Sequence, residues 1–300
     1  MRKLFFLVAA VCCFAACGDD DNVWTGSSGG GNQPVHASKL ISQILVSGDT
    51  AYEEPVPILF SYDKDNRLVR IYAEMLRQDK EGVREYTATV NINHGKSTAV
   101  CEIVKTRDGE EFPDKSRKVI VLDEYGRALS GDYVDYKYDP AGAYTNTQAQ
   151  FELSYDRSER LYCGTINYLG EGGNREDLAT QFVWKGSNLM EVKRNNSGKE
   201  LSDKAYYSDV LNKSNLDLNW LCYAHNAGFS AISGDCDNLF VLLGYCGKRS
   251  RNMPEMIVGQ EASKNSRAFY SYETDKEGYV TSINVEKGND LVTYRILYSK

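Results

Sequence analysis

Three histidines, His36, His94 and His225, are all the imidazole this 300-residue chain offers. None belongs to an HExxH zinc pair, and no GxSxG elbow presents a serine nucleophile. Residues 244–250 contain Gly-Lys-Arg-Ser but lack the spacing of a phosphate loop, and Asp235-Cys236-Asp237 lacks the ligand series of a calcium loop. With 42 carboxylates, chance acid pairs are certain, so counting them identifies no acid–base dyad. We therefore expect no catalytic residues, no metal and no cofactor, and a binding or structural accessory module; a secreted glycan- or peptide-directed hydrolase is the alternative. The side chains left with chemistry to offer are aromatic and cationic. Trp220 can lend a ring face, and Lys248 and Arg249 can donate hydrogen bonds to the hydroxyls or carboxylates of a carbohydrate or protein ligand. Tyr133, Tyr136, Tyr138 and Tyr144 crowd around Asp139-Pro140-Ala141-Gly142, where ligand stacking competes with plain strand packing.

The first residues address the chain. Met1-Arg2-Lys3 is a basic n-region, and residues 4–16 form an apolar run too short to cross about 30 Å of hydrocarbon. The run ends Phe14-Ala15-Ala16-Cys17-Gly18, which resembles a bacterial lipobox with Phe where Leu is usual. That resemblance implies cleavage before Cys17 and a diacylglycerol thioether on its sulfur. Asp19-Asp20-Asp21 follows directly and resembles the surface-export signal of Bacteroidetes lipoproteins, and TGSSGGGN over residues 25–32 has the composition of a flexible tether. The expected location is the outer membrane, on the cell surface or else facing the periplasm. Asp49-Thr50-Ala51 resembles the acceptor used for protein O-glycosylation in Bacteroidetes, which makes Thr50 a candidate modification site. Formal charge is -7 and the pI is about 5.2, which excludes a broad basic surface for nucleic acid.

Behind the tether the chain reads as strands. Tyr is over-used at 21 copies, a residue that suits half-buried strand positions. A grammar of alternating strand, Asp-led turn and alternating strand recurs at Asp63-Lys64-Asp65-Asn66, Asp123-Glu124-Tyr125-Gly126, Asp156-Arg157-Ser158-Glu159 and Asp275-Lys276-Glu277-Gly278. Asp opens such turns through its own side-chain bond, while Gly or Asn takes the left-handed position. The copies follow no fixed period, so a propeller or solenoid is excluded in favour of an antiparallel meander that closes to remove its edges. Residues 215–227 predict a short helix with Asn215 as N-cap, and the apolar run 238–244 reads as helix or buried strand. Once Cys12, Cys13 and Cys17 are set aside, five cysteines remain, an odd number at wide spacing. Most read as small buried hydrophobes, with a local Cys236–Cys246 bridge left open.

Two strings carry a family likeness. Residues 207–219, YSDVLNKSNLDLN, and residues 243–254, LGYCGKRSRNMP, resemble signatures of a Bacteroidetes lipoprotein family of unknown function with a porin-like domain; the late hairpin from Tyr272 to Ile283 fits as well. The resemblance spans about residues 40–300 and implies a mostly β, barrel-like antiparallel domain with one or two short helices and no known catalytic residues. Porin-like need not mean membrane-spanning: Arg70, Glu102, Glu191 and Arg194 interrupt the strands, and mean hydropathy is -0.48. The expected organisation is a signal peptide over 1–16, a lipidated cysteine and tether over 17–38, and one soluble barrel over 39–300. If the barrel captures a ligand, the segments 212–219 and 247–254 at one open end are the candidates. Otherwise they merely close the barrel, as Asn, Gly and Pro commonly do.

Overall fold

A computed structural model describes residues 39–48, 55–79, 82–139, 141–169, 175–196, 199–225, 239–259 and 267–299. The strands are β1 (Leu40–Ser47), β2 (Val56–Tyr62), β3 (Leu68–Asp79), β4 (Gly82–His94), β5 (Thr98–Arg107), β6 (Glu110–Glu111), β7 (Ser116–Leu122), β8 (Ala128–Tyr138), β9 (Tyr144–Tyr155), β10 (Leu161–Leu169), β11 (Arg175–Lys185), β12 (Asn188–Asn196), β13 (Lys199–Leu211), β14 (Asn252–Val258), β15 (Arg267–Thr274), β16 (Val280–Lys287) and β17 (Asp290–Ser299). Two short helices, α1 (Asn219–Tyr223) and α2 (Leu239–Leu242), lie between β13 and β14. The two-residue β6 pairs only with the end of β5. The other sixteen strands pair with their sequence neighbours throughout, all antiparallel, and β17 returns to pair with β1, closing the barrel.

Alternation decides which face is wet. In β7, Ser116, Lys118, Ile120 and Leu122 are buried while Arg117 and Val121 are exposed. In β9, Ala149, Phe151 and Leu153 are buried, and Gln148, Gln150, Glu152 and Ser154 face out. The same register carried round the sheet turns Ile44, Phe60, Ile71, Ile92, Cys101, Phe182, Val192, Ile257, Ile283 and Ile296 inward, where they form one core with both helices. A ring of sixteen strands is wide enough to hold water. Here the segment between β13 and β14 fills it: Leu216, Leu218, Leu221, Cys222, Leu239, Phe240, Val241 and Leu242 are all buried within that core. Gly131 makes the fit possible, since a Cβ there would lie 2.7 Å from the Phe151 ring, which packs on Phe240 of the plug at 4.8 Å. Two of the cations inside the barrel meet carboxylates. Arg194 meets buried Asp203 at 2.8 Å, and Lys105 meets Asp135 at 2.5 Å and the Tyr136 carbonyl at 2.8 Å.

The Asp-led turns follow their expected chemistry, all at the end of the barrel where β1 begins and β17 finishes, here the near end. In each, one aspartate oxygen accepts the N–H groups two and four residues on, at 2.8–3.0 Å. The second oxygen of Asp63, Asp123 and Asp156 takes Nε of Arg67, Arg127 and Arg160; that of Asp275 takes Lys39 Nζ at 2.7 Å. Asn66, Gly126, Glu159 and Gly278 supply the positive φ.

Two sequence expectations change. Asn215 does not cap α1: Leu218 occupies that position without a side-chain bond, and Asn215 reaches across to Ile41 N–H and the Tyr62 hydroxyl. Arg194 interrupts its strand from the inside, whereas Arg70, Glu102 and Glu191 sit on strand positions that face outward. Among the described residues no cysteine is joined to another in a disulfide; Cys236, the other half of the bridge left open, lies outside them.

Candidate functional site

The strings that carried the family likeness meet at the neck of the plug. Asn212 N–H donates to the Arg251 carbonyl at 2.8 Å, clasping the start of the excursion to its end. The Asn212 amide nitrogen donates to Asp217 Oδ1 at 2.6 Å and to the Ser250 carbonyl at 3.2 Å, while its oxygen accepts Leu218 N–H. Asp217 also accepts Asn219 N–H at 3.1 Å. Burial pushes the Asp217 carboxyl above the usual carboxylate range, against the nearby Arg249 charge and these donors. Ser214 exchanges a hydrogen bond with the Tyr298 hydroxyl at 2.8 Å, tying the clasp to β17.

The second string stitches the exit of the plug to neighbouring turns. Gly247 holds φ +75° with the Glu159 carbonyl where a Cβ would stand, 2.3 Å away, so no other residue fits. Lys248 N–H donates to Glu159 O, Arg251 N–H to Ser187 O, and Asn252 N–H to Asn188 Oδ1. Ser250 Oγ accepts Leu189 N–H and exchanges hydrogen bonds with the Tyr207 and Tyr223 hydroxyls.

The predicted ligand residues occupy three different situations. Lys248 is exposed on the near-end rim, held by its backbone. Arg249 is half-buried and donates to the Ser214 carbonyl at 2.7 Å; burial lowers its pKa while Asp217 opposes the change. Trp220, the second residue of α1, is half-buried and packed against the core. Each serves or borders the clasp. Cys17, Thr50 and His36 lie outside the described residues. His94 bridges the wall and the plug, its Nε2 on the Leu68 carbonyl at 2.8 Å and its Nδ1 on the Tyr245 hydroxyl at 2.9 Å, which fixes the Nε2–H tautomer. His225 meets the Tyr294 hydroxyl at 2.8 Å. Among the described residues, no group of three or more His, Cys, Asp or Glu side chains is arranged to hold a metal ion.

The far end carries a second cluster, and here the tyrosines around residue 139 come together. Phe112, between β6 and β7, is buried edge-on to Tyr86, Tyr138 and Tyr144, with ring centroids 6.3, 5.0 and 5.6 Å away. Tyr136 and Tyr144 lie nearly parallel, 15° apart with centroids at 5.9 Å. The Arg107 guanidinium sits 3.9 Å over the Tyr138 ring. Tyr133 is not part of this group: it points inward and is buried. Directly below Tyr144 on the outer wall come Asn146, Gln148 and Gln150, all exposed. Residue type alone did not single these amides out, but one signal was present: residues 144–150 carry no charge in a chain that is 26% charged.

No protein-family model and no curated protein sequence matches the chain. Solved structures do. A porin-like protein from Bacteroides uniformis ATCC 8492 superposes with a TM-score of 0.56 at 14% identity, covering 86% of this chain and 98% of its own. A porin-like protein from Bacteroides vulgatus ATCC 8482 gives 0.59, also at 14% identity, covering 87% and 99%. The likeness is one of fold: the same closed antiparallel barrel over nearly the whole length of both neighbours.

Proposed function

We propose that the chain is an outer-membrane lipoprotein, anchored through Cys17 and displayed on the cell surface or toward the periplasm, whose filled barrel is a non-catalytic binding or structural accessory module. The observation that carries this reading is the polarity of the wall. An outer-membrane barrel turns apolar residues to lipid and encloses a polar lumen. This one packs its apolar residues inside and sets Glu102, Arg117, Asp132, Glu152, Glu191, Lys193, Glu286 and Arg295 on outward positions around the ring. An Arg or Lys on the lipid face at the bilayer midplane costs about 2–4 kcal/mol, and the charges recur on seven strands. Exposed Phe269 and Leu291 do occur, but Glu286 stands between them in the same cross-strand row. Water is therefore the solvent that suits the wall, and a lipid on Cys17 supplies the membrane attachment that the barrel itself does not. The plug argues equally against conduction, because the clasp and the buried helices occupy the lumen that a porin keeps open.

Two results are expected from the full-length protein. Cys17→Ser should move it from the detergent phase to the aqueous phase and release it from carbonate-washed membranes. The lipidated protein added to a planar bilayer should give no stepwise conductance. Retention of the serine variant in washed membranes, or porin-like conductance steps, would overturn the reading.

A further inference from the structure

The geometry points to a binding strip for a neutral polysaccharide on the outer wall of β8 and β9 at the far end, formed by Tyr136, Tyr144, Asn146, Gln148, Gln150 and Asp132. This rests on the reading of the barrel as a display module, and it gives that module a ligand class and a place. On β9 the outward positions run Tyr144, Asn146, Gln148, Gln150; opposite them on β8 stand Tyr138, Tyr136, Val134 and Asp132. At about 3.4 Å per residue the β9 row extends roughly 20 Å, enough for an oligosaccharide rather than a single sugar.

The chemistry selects the ligand. A sugar hydroxyl both donates and accepts, and so does a carboxamide, so a row of amides can satisfy a run of hydroxyls without stripping water from an ion. Gln150 donates to Asp132 Oδ1 at 2.8 Å and Gln148 to Asn146 Oδ1 at 3.4 Å. Each of these glutamines then keeps a carbonyl oxygen and a second amide hydrogen for a ligand. Ring faces receive the apolar C–H side of a sugar, and here they are set before a ligand arrives. Tyr144 is held by its near-parallel neighbour Tyr136, by the Phe112 edge, and by Asp114 N–H donating to its hydroxyl at 3.3 Å. Side chains already fixed lose little entropy on binding.

Other ligand classes fit worse. Asp132 in the strip and Glu152 next along β9 repel anionic polymers, while two cations, Arg117 across from Val134 and Arg107 over the Tyr138 ring, stand at its margins. From Ala149 to Glu152 β9 is hydrogen-bonded to β8 and β10 on its two sides, so along that stretch it offers no free edge for a peptide strand to join. The position also suits a tethered module: β1 begins at the near end, so the connection to the anchor leaves from there and the strip lies at the opposite end.

The test is native affinity electrophoresis of the full-length protein in gels containing a soluble β-glucan, an α-glucan, a mannan or a xylan, with polygalacturonate as the anionic comparison. At least one neutral polymer should retard the protein, and polygalacturonate should not. Tyr144→Ala should weaken that binding at least tenfold. The double variant Gln148→Ala/Gln150→Ala, confined to exposed side chains, should weaken it about fivefold while leaving the melting temperature unchanged, so the site stays testable even if Tyr144→Ala unfolds. Retardation by none of the four neutral polymers, or stronger binding to polygalacturonate, overturns the ligand class. Neutral-polymer binding that is unchanged in the double variant overturns the site. Neither failure alters the anchoring and conductance results, which judge the display module separately.

Discussion

Asn212→Ala should destabilise the protein by about 3–5 kcal/mol. The side chain makes two donations and one acceptance inside the clasp, and its loss strands the Ser250 carbonyl, the Leu218 N–H and part of the Asp217 carboxylate, all buried. Buried groups left without partners cost about 1–3 kcal/mol each, and more when one of them is ionised. For a domain of this size that corresponds to a fall in melting temperature of roughly 10 °C. A second substitution identifies the origin of the loss. Asp217→Asn keeps an oxygen to accept from Asn212 and from Asn219 N–H but removes the charge that burial disfavours. In that background Asn212→Ala should cost about half as much. Equal losses in both backgrounds, measured by thermal or urea melts, would mean that the carboxylate takes no part in the clasp.

The clasp also shows which parts of the molecule were legible in advance. The Asp-led turns were, because the backbone N–H groups that define them lie within five residues: the Asp63 side chain reaches only Asp65 and Arg67, and among the four turns Asp275 alone adds a distant partner, Lys39. The inward and outward faces were legible as well, since alternation is a local property of each strand. Asn215 was not. Its position before an apolar run has the form of a helix cap, yet its partners Ile41 and Tyr62 are more than 150 residues away. The plug escaped for a related reason. Leu216, Leu218, Leu221 and Leu239 are buried on every side, so their spacing records neither a helical nor a strand period.

The number of strands was hidden too, because an irregular meander carries no period and only the pairing of β1 with β17 closes the count. For the site, chemical type singled out Trp220, Lys248 and Arg249, and the fold spreads them around the clasp and the near-end rim. The amide row needed the register of β9 before three separated residues could be recognised as one exposed strip.

A pH titration should expose the other histidine-bearing joint. His225 follows α1, its ring against Tyr294 and its backbone carbonyl receiving Lys287 Nζ at 2.7 Å. Burial, helped by the Lys287 charge, pulls its pKa from 6.5 down to about 4. The unfolded chain therefore takes up this proton first as pH falls, and protonation favours unfolding. The stability that neutral His225 contributes is complete above pH 6.5 and is lost as pH drops toward 4. Linkage makes the loss about 2 kcal/mol at pH 5 and about 3 kcal/mol at pH 4. Asp217 works in the opposite sense, since a raised carboxyl pKa means the fold gains stability as that group protonates on acidification. The two contributions separate by substitution. Urea melts at pH 8, 6.5 and 5 should show the wild-type protein losing about 2 kcal/mol more than His225→Gln over that range, because glutamine can still meet the Tyr294 hydroxyl and has no proton to gain. Asp217→Asn should leave the His225 loss intact and steepen the net acid sensitivity. Parallel profiles for the wild-type and His225→Gln proteins would show that this ring titrates as freely in the fold as in the unfolded chain, and that the α1 end of the plug is open to water.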